Sequence, residues 1–344
     1  MNDSPKTINL ALQGGGSHGA FTWGALDALI ADERIEIGAI SGASAGAMNA
    51  VVFASGMLEG GRDAARRKLH NFWLSVSAEG SLTPIQRGFY DAWFEAWRAA
   101  LPQAGAMWDA LATFVSPYDA NPLDLSPLRD HLTQLVDFDA LRKMPGPKIF
   151  VAATNVHTGR GEVFRRDILT PDHIMASSCL PRLFRAVDID GEPYWDGGYA
   201  GNPPLWPLFY ETDCRDTVIV QINPVERHAT PHTAQEIANR VNEITFNAAL
   251  LGELRAADFV ARLIERGALK EGEGYRRELL HRIGGAGKLE SFGAASKFDV
   301  TWSFLVALCE LGRQATREWL DENFAAIGER STLNIDQALR RKPA

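Results

Sequence analysis

Two short apolar stretches, residues 8–12 and 35–40, frame the start of the chain. Bounded by glycine and too short for stable helices, both predict buried strands. Between them residues 20–32 follow a helical pattern, and residues 45–54, rich in alanine, begin another helix. Strand, glycine-rich loop, helix and strand in this order form a βαβ unit, which implies a parallel sheet with helices packed on it. The chain from 62 to 141 then reads as mainly helical, without an obvious strand. Its middle holds Phe89, Tyr90, Trp93, Phe94, Trp97 and Trp108 at helical spacings. A buried helix is the simpler reading of that run, and a lid meeting acyl chains or a lipid surface is the alternative.

Alternating and continuous apolar patterns resume at 148–154 and 162–165, predicting two more strands. Ser126-Pro127 and Thr170-Pro171 each read as an N-cap followed by the first helical residue. Residues 187–189 and 194–195 form a hairpin pattern around Asp190-Gly191, and 217–222 reads as the last clear strand. Beyond Thr230 the periodicity is helical, with amphipathic segments near 237–251, 253–264 and 304–324.

Composition narrows the classes. With 344 residues, 46% hydrophobic and 23% charged, the chain buries a substantial core and is not a disordered protein. A net charge of −8 argues against a sequence-independent grip on nucleic acid phosphates. Three widely separated cysteines make neither a disulfide framework nor a metal-ligand spacing, and no metal or organic cofactor is implied. No signal-peptide pattern precedes the first strand, and the apolar stretch 300–309 is too short to span a bilayer. The expectation is a cytoplasmic protein able to make transient contact with a membrane surface.

The candidate chemistry lies at the turns after the first two strands. Gly42-Ala43-Ser44-Ala45-Gly46 is a G-x-S-x-G string, weak alone but strengthened by its place between a strand and a helix. Such a turn projects a serine hydroxyl at a helix N-terminus, where dipole and free N–H groups favour developing negative charge. The preceding loop, Gln13 to Gly19, allows two readings. Gly14, Gly16 and Gly19 satisfy G-x-G-x-x-G, a dinucleotide fingerprint, but the second strand ends in Ser41-Gly42 rather than in a ribose-binding acid. Alternatively, the N–H groups of Gly14, Gly15 and Gly16 converge on a carbonyl oxygen as it becomes an oxyanion.

A serine nucleophile needs a base. Asp196 with His228, His232 or His281 gives the chain order of a Ser-Asp-His triad, although here the elbow follows only two strands. The other solution is a Ser44–Asp196 dyad, in which Gly197 and Gly198 let the backbone bring the carboxylate close. A carboxylate with the ordinary pKa near 3.9 is a poor base for a serine, so the oxyanion site must carry much of the stabilisation.

Residues 13–19, 42–46 and 196–198, in this order, resemble the patatin-like phospholipase family. Ala176-Ser177-Ser178 up to Pro181, Phe184, Tyr194 and Asn202-Pro203-Pro204-Leu205 add to the resemblance, which spans about 8–223. It implies a three-layer α/β/α sandwich with a mainly parallel sheet, and cleavage of lipid acyl esters by a Ser44–Asp196 dyad. Gly14, Gly15 and Gly16 become the oxyanion loop. The implied organisation is a hydrolase core over 6–225 with a helical insertion at about 58–145, and a helical region over 226–344 packed on it. A glycerophospholipid is the expected substrate, with carboxylesterase or thioesterase action on other acyl groups as the alternative. Two positions depart from the family pattern: His18 stands where Arg or Lys is frequent, and Gln13 where Asp often begins the glycine run.

Overall fold

The computed structural model describes residues 4–77, 118 and 127–339, apart from 182, 228, 273, 286, 290, 291, 293–295 and 298. The aromatic run from Phe89 to Trp108 therefore lies outside the described residues, as does His228.

The apolar runs become strands. β1 (Lys6–Leu12) leads through a short 3-10 turn at Gly16–His18 into helix α1 (Gly19–Ala31), and β2 (Ile35–Gly42) leads into α2 (Ala45–Val76). Two short helices, α3 (Pro127–Leu135) and α4 (Phe138–Lys143), precede β3 (Lys148–Asn155) and β4 (Gly161–Arg165). Then come α5 (Pro171–Ser177), the hairpin of β5 (Val187–Ile189) and β6 (Glu192–Asp196), α6 (Trp206–Glu211) and β7 (Asp216–Gln221). Helix α7 (Ala234–Glu265), strand β8 (Leu279–Gly284) and helix α8 (Trp302–Asn323) follow.

These strands make one sheet in the order β5-β6-β3-β2-β1-β7-β8, with β4 paired to β3. β1 lies between β2 and β7 and is parallel to both, while β4 and β6 run antiparallel to β3. Ile8, Leu10 and Leu12 face one apolar layer with Phe21, Leu26 and Phe72, whereas Ala11 faces the other with Phe150, Leu208 and Leu250. This period-two alternation gives the α/β/α sandwich its two cores.

The structure differs from the sequence reading in the last third of the chain. Strands do not end at 222, because β8 pairs parallel to β7 from Asp216↔Leu279 to Gln221↔Gly284. The adjacent polar residues His281 and Arg282 interrupt its apolar pattern. His281 is nevertheless fully buried, because its Nε2 meets Asp216 Oδ1 on β7 at 2.9 Å. The segments near 237–251 and 253–264 form one continuous helix, α7, through Gly252. The boundary expected at 225 thus falls between two neighbouring strands of one sheet.

Helix α8 is equally bound into this body. It crosses α1 closely enough that a Cβ on Gly24 would stand 1.9 Å from the Cys309 carbonyl oxygen, and one on Gly312 would stand 2.0 Å from that of Phe21. Asp27 of α1 accepts from Arg66 Nε of α2 at 2.8 Å and from Arg313 Nε of α8 at 2.6 Å. Burial alone would raise the Asp27 pKa, but the two guanidinium groups hold it below the ordinary carboxylate value. Among the described residues, no helix is long and apolar enough to cross a membrane.

Candidate active site

Residues just past the C-terminal ends of β1, β2 and β7 gather at one rim of the sheet, where open α/β sheets commonly place ligands. At the end of β2 the backbone turns so sharply that Ser44 adopts φ 53° and ψ −126°. A non-glycine residue in such a region costs about 1–3 kcal/mol and is held only by its surroundings. Two contacts hold this one. A Cβ on Gly46 would stand 2.1 Å from the Leu12 carbonyl oxygen, so only glycine lets α2 start this close to β1. The Ser44 N–H also donates to Ser177 Oγ, from the end of α5, at 2.9 Å. The Ser44 hydroxyl makes no capping bond to α2, and the residue is half-buried rather than enclosed.

Asp196 is the last residue of β6 and is 1% exposed. Its N–H donates to the Cys179 carbonyl at 2.7 Å, and its own carbonyl accepts from Thr154 Oγ1 at 2.8 Å. The chain then turns at Gly197, where a Cβ would stand 2.2 Å from the Ala152 carbonyl oxygen. This turn brings the Gly198 N–H back to Asp196 Oδ1 at 2.7 Å. The Ser44 hydroxyl is a further hydrogen-bonding partner of the same carboxylate. Burial pushes the Asp196 pKa up to about 7, with the Gly198 amide and the Ser44 hydroxyl only partly opposing it. A carboxylate in this pocket is therefore a much better base near neutral pH than the ordinary value suggests.

The glycine loop lies directly against the elbow, since a Cβ on Gly14 would stand 2.6 Å from Ser44 Cβ. The three amides expected at the oxyanion differ in what they meet. The Gly14 N–H already donates to Asn202 Oδ1 at 2.6 Å in a buried bond, leaving it no proton for an oxyanion. The N–H groups of Gly15 and Gly16 have no acceptor among the described residues. Gly14 instead acts through its carbonyl, which accepts from Asn223 Nδ2 at 2.7 Å and from Asn202 Nδ2 at 3.2 Å. Gln13 anchors this arrangement. Its Oε1 accepts from the N–H groups of Ile222 and Asn223 at 3.0 and 2.9 Å, and its Nε2 donates to the Asn202 carbonyl at 3.2 Å. A neutral amide suits this position because it both accepts and donates, whereas an ionised aspartate only accepts.

The remaining candidates separate from this pair. His18 is buried against Phe292 and Phe304, with Nε2 and Ser296 Oγ 2.8 Å apart. Burial, Lys297 and Arg227 lower its pKa to about 3, so it is neutral at physiological pH and supplies no fixed positive charge. His281 is occupied by Asp216 on one ring nitrogen and by Thr332 Oγ1, at 3.0 Å, on the other. His232 is exposed just before α7, where its backbone N–H donates to Glu236. No described histidine bonds Ser44 or Asp196. Gly14 and Gly16 are fixed by close packing, since a Cβ on them would stand 2.6 Å from Ser44 Cβ and 2.4 Å from the Lys297 carbonyl oxygen. Among the described residues no group of three or more His, Cys, Asp or Glu side chains gathers to hold a metal ion.

Ser177, Asn202 and Asn223 were not read as site residues from the sequence. Asn223 carried a usable signal, since it follows a parallel strand as Gln13 and Ala43 do. Ser177 and Asn202 lay within stretches that carry the family resemblance. Lys297, whose Nζ donates to Asn223 Oδ1 at 2.7 Å, had no such signal.

No curated protein matches the sequence. Among solved structures, the crystal structure of VipD from Legionella pneumophila is similar at 17% identity and a TM-score of 0.42, covering 93% of this chain and 68% of that one. The family model for patatin-like phospholipases matches residues 10–209, more than half of the chain. That span takes in the glycine loop, the serine elbow and the Asp196 turn. The chain belongs to the patatin-like phospholipase family, and with it among the lipid acyl hydrolases.

Proposed function

We propose that this chain cleaves fatty-acyl esters of lipids by a Ser44–Asp196 dyad through an acyl-enzyme, with glycerophospholipids as the foremost substrate. The observation that carries the reading is a strained, half-buried serine facing a buried carboxylate whose pKa stands at about 7. In the first step Ser44 Oγ attacks the ester carbonyl while Asp196 accepts its proton. The carbonyl π electrons move onto oxygen, and the Gly15 and Gly16 N–H groups stabilise the resulting oxyanion. Collapse of the tetrahedral intermediate breaks the ester C–O bond, and Asp196 returns the proton to the departing alcohol. Water, deprotonated by the same carboxylate, then attacks the acyl-serine. Collapse of the second tetrahedral intermediate breaks the C–Oγ bond while Asp196 returns the proton to Ser44 Oγ, and a fatty acid leaves. Ser177 acts as a positioning residue for the elbow and Asn202 for the glycine loop.

A fluorophosphonate probe tests the nucleophile. The wild-type chain is expected to label covalently and to hydrolyse p-nitrophenyl acyl esters. Ser44→Ala should fail to label and should lose activity by on the order of 10⁴-fold or more, as removing a covalent nucleophile does elsewhere. Folded wild-type protein that neither labels nor turns over would falsify the proposal.

A further inference from the structure

Two side-chain amides draw the Gly14 carbonyl inward, and one of them is charged from behind. Asn223 Nδ2 donates to Gly14 O at 2.7 Å, while Asn223 Oδ1 accepts from Lys297 Nζ at 2.7 Å. In a trans peptide the N–H points opposite to the C=O. The carbonyl of Gly14 and the N–H of Gly15 belong to the same peptide, so holding one toward the interior aims the other away from it. Hydrogen bonds in series also polarise one another, and a charged first donor strengthens the chain.

We propose that Lys297 is a positioning residue for acyl transfer, which orients and polarises the Gly14–Gly15 peptide through Asn223 so that the Gly15 N–H meets the oxyanion as a strong donor. The inference rests on the reading of Ser44 as nucleophile. The charges around Lys297 suit this task. Glu243 of α7 lies on one side, but its carboxylate is bound by Arg227 at 2.7 Å and by Arg240 at 3.1 Å. Among the described residues the ammonium donates directly only to Asn223 Oδ1. His18, the nearby imidazole, is neutral. Burial lowers the Lys297 pKa to about 8, with Glu243 opposing that shift and Arg227 adding to it. The lysine therefore loses its proton, and the relay its charge, within an accessible pH range. The backbone carbonyl of Lys297 also packs against Gly16, so the relay and the loop share one support.

The test measures kcat, KM and fluorophosphonate labelling rate from pH 6 to pH 10 for wild type, Lys297→Met and Lys297→Arg. Wild-type kcat should fall above about pH 8. Lys297→Met should lower kcat about tenfold at unchanged KM and lose that alkaline limb, a smaller effect than the ~10²–10³ of deleting a whole oxyanion donor. Lys297→Arg should restore the rate and hold it flat to pH 10, because a guanidinium stays protonated there. Folded Lys297→Met with wild-type kcat overturns the proposal, as does a loss that leaves the alkaline limb in place. Should Lys297→Met not fold, the wild-type profile decides, and a rate that stays flat through pH 10 overturns the relay. A wild-type chain that labels at Ser44 with no dependence on Lys297 breaks this inference alone, whereas a wild type that never labels breaks the nucleophile assignment beneath it.

Discussion

Two buried aspartates sit at opposite ends of the parallel strands, and their surroundings differ in kind. Asp216, at the start of β7, accepts from the Gly328 N–H at 2.9 Å and pairs with His281, whose other ring nitrogen meets Thr332. The histidine is 0% exposed, and both of its ring nitrogens are occupied. Asp196, at the opposite rim, has no cationic partner among the causes that shift its pKa, and its neighbour Ser44 is strained and half-buried. By residue type the Asp-His pair is the more suggestive of catalysis. Its geometry is that of a satisfied pair joining two strands and a C-terminal turn. Polar groups that fully occupy one another stabilise a fold, whereas a base without a counter-charge beside a strained hydroxyl has capacity left for a substrate.

Variants at the two ends sharpen this contrast. The largest expected effect is at the open end, where Asp196→Asn should lower kcat by on the order of 10³-fold or more while leaving the fold intact. The proposed base works only when ionised, so wild-type kcat/KM should rise with pH through about 7, and the asparagine variant should lose that limb. Full activity in Asp196→Asn would remove the dyad. At the closed end His281→Ala leaves Asp216 buried without its partner and should destabilise the protein by about 3–5 kcal/mol in urea unfolding. Its kcat per folded molecule should match wild type, and a kcat loss without a stability loss would undo the comparison. The smallest effect is expected from Ser177→Ala, which strips the Ser44 N–H of its acceptor at a cost of about 1–3 kcal/mol. Labelling by fluorophosphonate should slow together with that loss. A variant with unchanged stability and labelling would show that the elbow does not need this bond.

The glycine loop, the elbow and the Asp-Gly-Gly turn were legible because each is set by neighbours in the chain. An apolar run that ends in small residues before a helical pattern has few other ways to fold, so β1, β2 and the position of Ser44 follow locally. β8 was not legible, because His281 and Arg282 break its apolar pattern, and His281 is tolerable in the core only through Asp216 on the next strand. The role of Gly14 was likewise hidden. Whether an amide proton is free depends on what lies opposite it, and here that is Asn202, 188 positions away.

Sequence alone determined the early βαβ unit, the local turns that carry Ser44 and Asp196, and the resemblance to a lipid-hydrolase family. Tertiary structure decided which donors remain free, which histidine is structural, and that burial raises the pKa of this carboxylate. The division follows from range. Backbone turns depend on a few adjacent residues, whereas burial, hydrogen-bond occupancy and the field at a charged group are set by atoms that meet only once the sheet has closed over its two cores.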